Sequence, residues 1–167
     1  DRSEVGFYLS SCEKAGFNVV QVQTMNGVPA TNLYGESSLP DGFNFKNVEK
    51  DKRAASYWGN MDYIIKTAEN HGIYVGMVCI WGGLVKHGMM NVEQARAYGR
   101  FLANRYKNSP NIVWIIGGDI RGDVKPEVWT ALAETIKSID KNHLMTFHPF
   151  GRTLSAVWWN DAKWLDF

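Results

Sequence analysis

Apolar positions recur along this chain in two alternating rhythms, one at helical spacing and one in short continuous runs. Residues 3–15 (SEVGFYLSSCEKA) place Val5, Leu9 and Cys12 on one helical face, and Gly16 is a natural stop. Phe17 to Gln23 (FNVVQVQ) then reads as a strand. Residues 57–71 align Met61, Ile64, Ile65 and Ala68 as a second helical stripe closed by Gly72, and IYVGMVCIW (73–81) follows as a buried strand. A third helix is expected over 91–106 from an Asn N-cap, with NIVWII (111–116) as its strand. A fourth, over 126–140, opens with Pro126 in its first turn and precedes HLMTFH (143–148). A short helix-prone stretch and WLDF (164–167), read as the start of another strand, end the sequence.

Helix and strand alternating at this spacing imply an α/β fold with a parallel sheet and right-handed crossovers. The near-continuous hydrophobicity of the strands predicts burial on both faces. A doubly wound sheet and a (β/α)8 TIM barrel both fit, but no Gly-rich fingerprint follows the first strand. The strand ends are polar, glycine-rich or aromatic: Gln23-Thr24-Met25-Asn26, Trp81-Gly82-Gly83, Gly117-Gly118-Asp119 and His148-Pro149. Functional residues of a barrel stand at such ends, so this coherence favours the barrel. A complete barrel typically needs about 250 residues. The 167 residues here are expected to cover roughly strands 2 to 6 of an incomplete barrel, with the first and last strands outside residues 1–167 of one catalytic domain. The long segment 24–56 is expected to be functional or disordered.

Composition narrows the partners. With a formal net charge of +1 and 45% hydrophobic residues, nothing points to nucleic acid, and no apolar run is long enough for membrane insertion. Cys12 and Cys79 read as free thiols more readily than as a disulfide. His71, His87, His143 and His148 lack metal-ligand spacing, so no metal and no cofactor is expected. Aromatic residues reach 13%, and aromatic faces stack well on sugar rings, although most such side chains serve as core.

The sharpest local signal is NIVWIIGGDIRGD (111–123), where an apolar strand delivers a carboxylate straight after two glycines. Among aromatic and apolar neighbours a carboxyl keeps its proton more readily and can act as a general acid, the group that glycosidic cleavage requires together with a second carboxylate. Asp119 therefore reads either as that acid or as a plain loop or helix cap. Trp81 could form a stacking wall, and His148 could hydrogen-bond a sugar hydroxyl or be structural. Arg121 could orient Asp119, bind substrate or simply face solvent. Trp158 and Trp159 read as a sugar platform or as outer packing.

Several stretches carry a family resemblance. GFNVVQVQ (16–23), YWGNMDYIIKTAENHGIYVGM (57–77), ARAYGRFLANRYKNSPNIVWIIGGD (95–119) and HLMTFHPFGRTLSAVWWNDAKWLDF (143–167) resemble the apiosidase-like catalytic domains of glycoside hydrolase family 140, often labelled endoglucanases. The family is similar to the retaining barrel hydrolases, which carry the acid/base after strand four and the nucleophile after strand seven. With one strand preceding residue 1, Asp119 falls after strand four. The resemblance implies a glycoside hydrolase acting on a plant cell-wall or related polysaccharide, with Asp119 as general acid/base. It places the nucleophile outside these residues, because Asp123, Glu127, Asp161 and Asp166 lie in the wrong loop, on a helix or in a strand. Trp81, His148, Gln23 and Arg121 would bind substrate. Family members often carry Arg directly after GGD, whereas Ile120 intervenes here. A secreted or periplasmic location follows from the resemblance alone, and the oligomeric state is not legible. The competing expectation is a carbohydrate-binding barrel without catalysis.

Overall fold

The computed structural model describes residues 1–167. In chain order the elements are α1 (Arg2–Lys14), β1 (Val19–Gln23), β2 (Pro40–Phe43), α2 (Lys46–Lys50), α3 (Tyr57–Asn70) and β3 (Tyr74–Val78). They continue with α4 (Gly82–Lys86), α5 (Val92–Tyr106), β4 (Ile112–Ile120), α6 (Pro126–Ile139), β5 (Met145–Pro149) and α7 (Ala156–Trp159). The helices begin where local chemistry satisfies their free amides. Asp1 and Glu4 form a capping box on α1, Asn91 and Gln94 form another on α5, and Ser56 caps α3 through Gly59 N–H. Pro126 opens α6. No helix is long and apolar enough to cross a membrane.

One four-stranded sheet runs β1-β3-β4-β5, every pairing parallel. The order follows the chain without reversal. With right-handed crossovers, that order keeps the connecting helices on one face, whereas a doubly wound sheet reverses at a switch point. Val20, Val75, Met77, Ile112, Trp114, Ile116, Met145 and Phe147 are buried in the single core between sheet and helices. The opposite face is more open. Val19, Gln21 and Gln23 of β1 are exposed, so the expectation of strands buried on both faces fails for β1 and holds best for β3. A strand at the end of this sheet, with no second layer over its inner face, cannot bury both sides however apolar its sequence.

Three further expectations are corrected. WLDF forms no ladder. Trp164 is instead core, and Asp166 docks on Met145, its backbone N–H to Met145 O at 2.9 Å and its carboxylate accepting from Met145 N–H at 2.7 Å. Segment 24–56 is ordered rather than disordered, and its beginning stays at the strand ends, where Thr24 Oγ1 bonds Val78 O. Its Phe45 stacks on Phe101 at 4.3 Å between ring centroids, and Trp58 Nε1–H donates to Ser38 O at 2.9 Å, so it packs against the outer helices. Strand β4 does not end at Ile116 but runs on to Ile120 through an irregularity. Cys12 and Cys79 are free thiols.

A buried polar knot sits where α6 turns into β5. The Asp140 carboxylate accepts from Trp114 Nε1–H at 2.9 Å and lies 2.6 Å from His143 Nδ1, with backbone amides of Asn142 and His143 at 3.1 and 3.2 Å. Burial pushes this carboxyl up, but the hydrogen bonds from Trp114, His143 and the two amides outweigh it and hold it below the ordinary range.

Candidate functional site

The two glycines after Ile116 are required by their neighbours. Gly117 (φ +87°) and Gly118 (φ +136°) occupy backbone conformations that L side chains rarely adopt. A Cβ on Gly117 would lie 2.8 Å from His148 O and from Phe147, and one on Gly118 would lie 2.6 Å from Trp81 Cε3. The ring of Trp81 thus rests on the Gly118 backbone. Asp119 follows at φ +47°, and Ile120 rejoins the sheet opposite Pro149 after a register shift between Gly117 and Ile120. Asp119 is consequently the crest of a bulge, a device that re-aims a side chain at a strand end.

His148 ends β5 in register with Gly117. Its Nδ1 lies 3.3 Å from Asp119 N, 3.0 Å from Pro149 O and 3.8 Å from Asp119 Oδ1. Its ring stands 5.7 Å from that of Trp81, tilted by 55°. The structure therefore brings Asp119, Trp81 and His148 together. Gln23 shares this end of the sheet two strands away, exposed, with Nε2–H donating to Met25 O at 3.1 Å.

Arg121 does not orient Asp119. It pairs with Asp123 through two contacts of 2.9 and 2.6 Å, and its guanidinium lies 5.9 Å from the Trp158 ring centroid. The hydrogen bonds with Arg121 hold the Asp123 carboxyl below its ordinary range, so this second carboxylate is ionised and engaged. Ile120, between Asp119 and Arg121, is buried. Trp159 belongs to the core, 5.7 Å from Phe147 and 5.2 Å from Trp164, while Trp158 stays half-buried beside Phe150 at 6.1 Å.

The apolar enclosure expected around Asp119 is missing within these residues, since its side chain is 62% exposed. A groove of about 460 Å³ lies elsewhere, lined by Asp62, Arg105 and Tyr106 on the outer helices, and has no connection with the strand ends. No group of three His, Cys, Asp or Glu side chains is placed to hold a metal ion.

Residues that sequence reasoning passed over brace the site from below. Thr24 Oγ1 reaches the carbonyls of Val78 (2.9 Å) and Cys79 and the hydroxyl of Tyr98 (2.9 Å), which itself donates to Cys79 O at 2.8 Å. Tyr57 O–H donates to Thr24 O at 2.6 Å, and burial pushes its pKa up to about 12, so it remains a donor. Gly82 lies against β4: a Cβ there would be 2.4 Å from Gly118 O. The signal for these was the polar residues beside strand ends, but nothing in the sequence pairs Thr24 with Tyr98.

The sheet is parallel, and a carboxylate, an imidazole and an indole gather at the carboxyl ends of its strands, the end where β/α barrels carry their functional residues. Comparison with known proteins gives the family. A family model described as the apiosidase-like catalytic domain matches residues 1–167, and the chain belongs to that family. It is similar to a glycoside hydrolase family 5 protein from Bacteroides vulgatus, with 62% identity and a TM-score of 0.97, over 100% of this chain and 36% of that one. A second structure, named glycoside hydrolase, matches at 62% identity and TM-score 0.97 over 100% of this chain and 37% of that one. The endo-1,4-β-mannanase of Rhizomucor miehei shares the fold at 19% identity, TM-score 0.61, over 88% of this chain and 52% of its own. The curated proteins contain no match. The chain thus spans little more than a third of the length of its 62%-identical relatives.

Proposed function

We propose that these residues form the middle of a (β/α)8 barrel, roughly strands 2 to 6, in a glycoside hydrolase of the family 140 kind. Asp119 serves as general acid toward the leaving oxygen and then as general base toward water. The observation that carries this reading is the bulge that lifts Asp119 out of β4 beside His148 and Trp81. A retaining mechanism needs a nucleophilic carboxylate about 5–5.5 Å from the acid. Asp123 is committed to Arg121, and the nucleophile comes from a strand end outside residues 1–167. The same strands, closing over the open inner face of β1, would supply the water-poor surroundings that Asp119 lacks here. Trp81 stacks on the sugar, and His148 and Gln23 offer polar contacts to its hydroxyls. Arg121 reaches substrate only by leaving Asp123. The substrate is a plant cell-wall or related polysaccharide, with an apiose-bearing pectin side chain the first choice, and the enzyme acts outside the cytoplasm, in secreted or periplasmic form.

The test is sugar release from a panel of plant polysaccharides by the full-length protein and by Asp119→Asn. General acid–base groups typically contribute on the order of 10²–10⁴-fold, so a loss of that size is expected in the variant, with glycan affinity retained. Undiminished release by the variant removes Asp119 from the chemistry. Glycan binding without release by either protein would favour a binding barrel.

A further inference from the structure

We propose that His148 is a positioning residue, whose Nδ1 accepts the Asp119 backbone N–H and so holds the catalytic carboxylate on its bulge. Two partners compete for this one ring atom. Asp119 N–H, at 3.3 Å, needs a lone pair on Nδ1, whereas Pro149 O, at 3.0 Å, needs a proton there. Both cannot be satisfied at once. When Nδ1 carries its lone pair, the neutral ring has its proton on Nε2 and the Asp119 amide is paired. Asp119 is a non-glycine residue at φ +47° following two glycines that impose no preference of their own, so this bond is the side-chain anchor of the bulge.

Protonation reverses the arrangement. The imidazolium donates from Nδ1 to Pro149 O, and Asp119 N–H loses its acceptor. The charged ring then attracts Asp119 Oδ1, already at 3.8 Å, drawing the carboxylate down toward β5. Of the other neighbours, the Trp81 indole lies against the ring on the α4 side, and Arg121 and Asp123 are paired with each other. The positioning works only while Nδ1 carries its lone pair. It also leaves Nε2–H as the atom free to meet a substrate hydroxyl, so substrate is offered a donor.

The proposal rests on the reading of Asp119 as acid/base, and its test separates the two. In the full-length protein, the carbonyl oxygen of His148→Asn falls near the place of Nδ1, and that of His148→Gln near the place of Nε2. The Asn variant keeps an acceptor for Asp119 N–H but loses the Nε2–H contact, so its KM should rise while its kcat falls less than that of the Gln variant. The Gln variant should lose on the order of tenfold or more in kcat with KM little changed, because the acid is misplaced rather than the sugar released. A kcat kept in Gln and lost in Asn, or equal effects on kcat in both, would overturn the proposal. Crystal structures give a readout independent of turnover: Asp119 should keep its positive φ in the Asn variant and leave it in the Gln variant. An unaltered bulge in the Gln variant also overturns it. If Asp119→Asn leaves hydrolysis intact, the glycosidase reading fails, while these structures still decide what His148 holds.

Discussion

Replacing Gly118 by Ala tests whether the indole of Trp81 and the β4 bulge are mutually fitted. The new methyl would stand 2.6, 2.9 and 3.1 Å from Trp81 Cε3, Cδ2 and Cζ3, against an ordinary carbon–carbon separation of about 3.5–4.0 Å. A ring cannot swing aside as the end of a flexible chain does, so Trp81 must move as a unit, away from His148. Overpacking of this kind costs about 1–3 kcal/mol. The backbone at φ +136° adds about 1–3 kcal/mol of strain for a residue bearing Cβ. The sum, about 2–6 kcal/mol, is a large part of the 5–15 kcal/mol that usually stabilises a domain. Denaturant unfolding of the full-length protein should show a midpoint lowered accordingly, and hydrolysis should show a raised KM from the displaced indole. Gly83→Ala is the matched control. Its Cβ would meet nothing closer than Trp81 Cδ1 at 3.9 Å, and it lies in α4, where Ala is favoured over Gly by about 0.5–1 kcal/mol. Equal midpoints for Gly118→Ala and wild type would refute the fitted-ring argument.

Three other outcomes are expected. Asp140, held below the ordinary carboxyl range, contributes stability that is present above the unfolded-state value of about 3.9 and is lost as pH falls through the lower folded value. Asp140→Asn should therefore lower the unfolding midpoint at neutral pH by about 1–3 kcal/mol and flatten its decline below about pH 4, measured by denaturant titration across pH. Phe45→Ala removes the ring stacked on Phe101 and Tyr98, and should cost about 3–5 kcal/mol and open segment 24–56 to limited proteolysis. The Arg121–Asp123 pair is exposed on both sides, 60% and 49%, so Arg121→Ala should change stability by no more than about 1 kcal/mol. A rise in KM on glycan substrates would then show that Arg121 exchanges Asp123 for the sugar.

The elements of the chain were legible because hydrophobic periodicity and capping residues are local. The spans of α1, α3, α5 and α6 follow from stripes such as Met61, Ile65 and Ala68 and from caps such as Asn91 with Gln94. Asp119, Trp81 and His148 could be singled out because each falls directly after an apolar run, where a parallel sheet presents its carboxyl ends. WLDF misled for a physical reason: its backbone meets β5 only once, at Asp166 N–H to Met145 O, because the Asp166 carboxylate rather than a backbone carbonyl takes Met145 N–H, while Trp164 fills the core.

Sequence by itself therefore determined the alternation of helix and strand, the end of the sheet at which Trp81, Asp119 and His148 collect, and the family that the string from Arg105 to Asp119 marks. Tertiary structure alone decided the partners within that end. Glycines at 117 and 118 permit a bulge, but only the Trp81 ring lying over one and Phe147 against the other make it necessary. Arg121 stands two residues from both Asp119 and Asp123, and sequence cannot choose between them. The structure pairs it with Asp123. His148 met Asp119 through parallel register between strands 29 residues apart, a contact that no local pattern encodes.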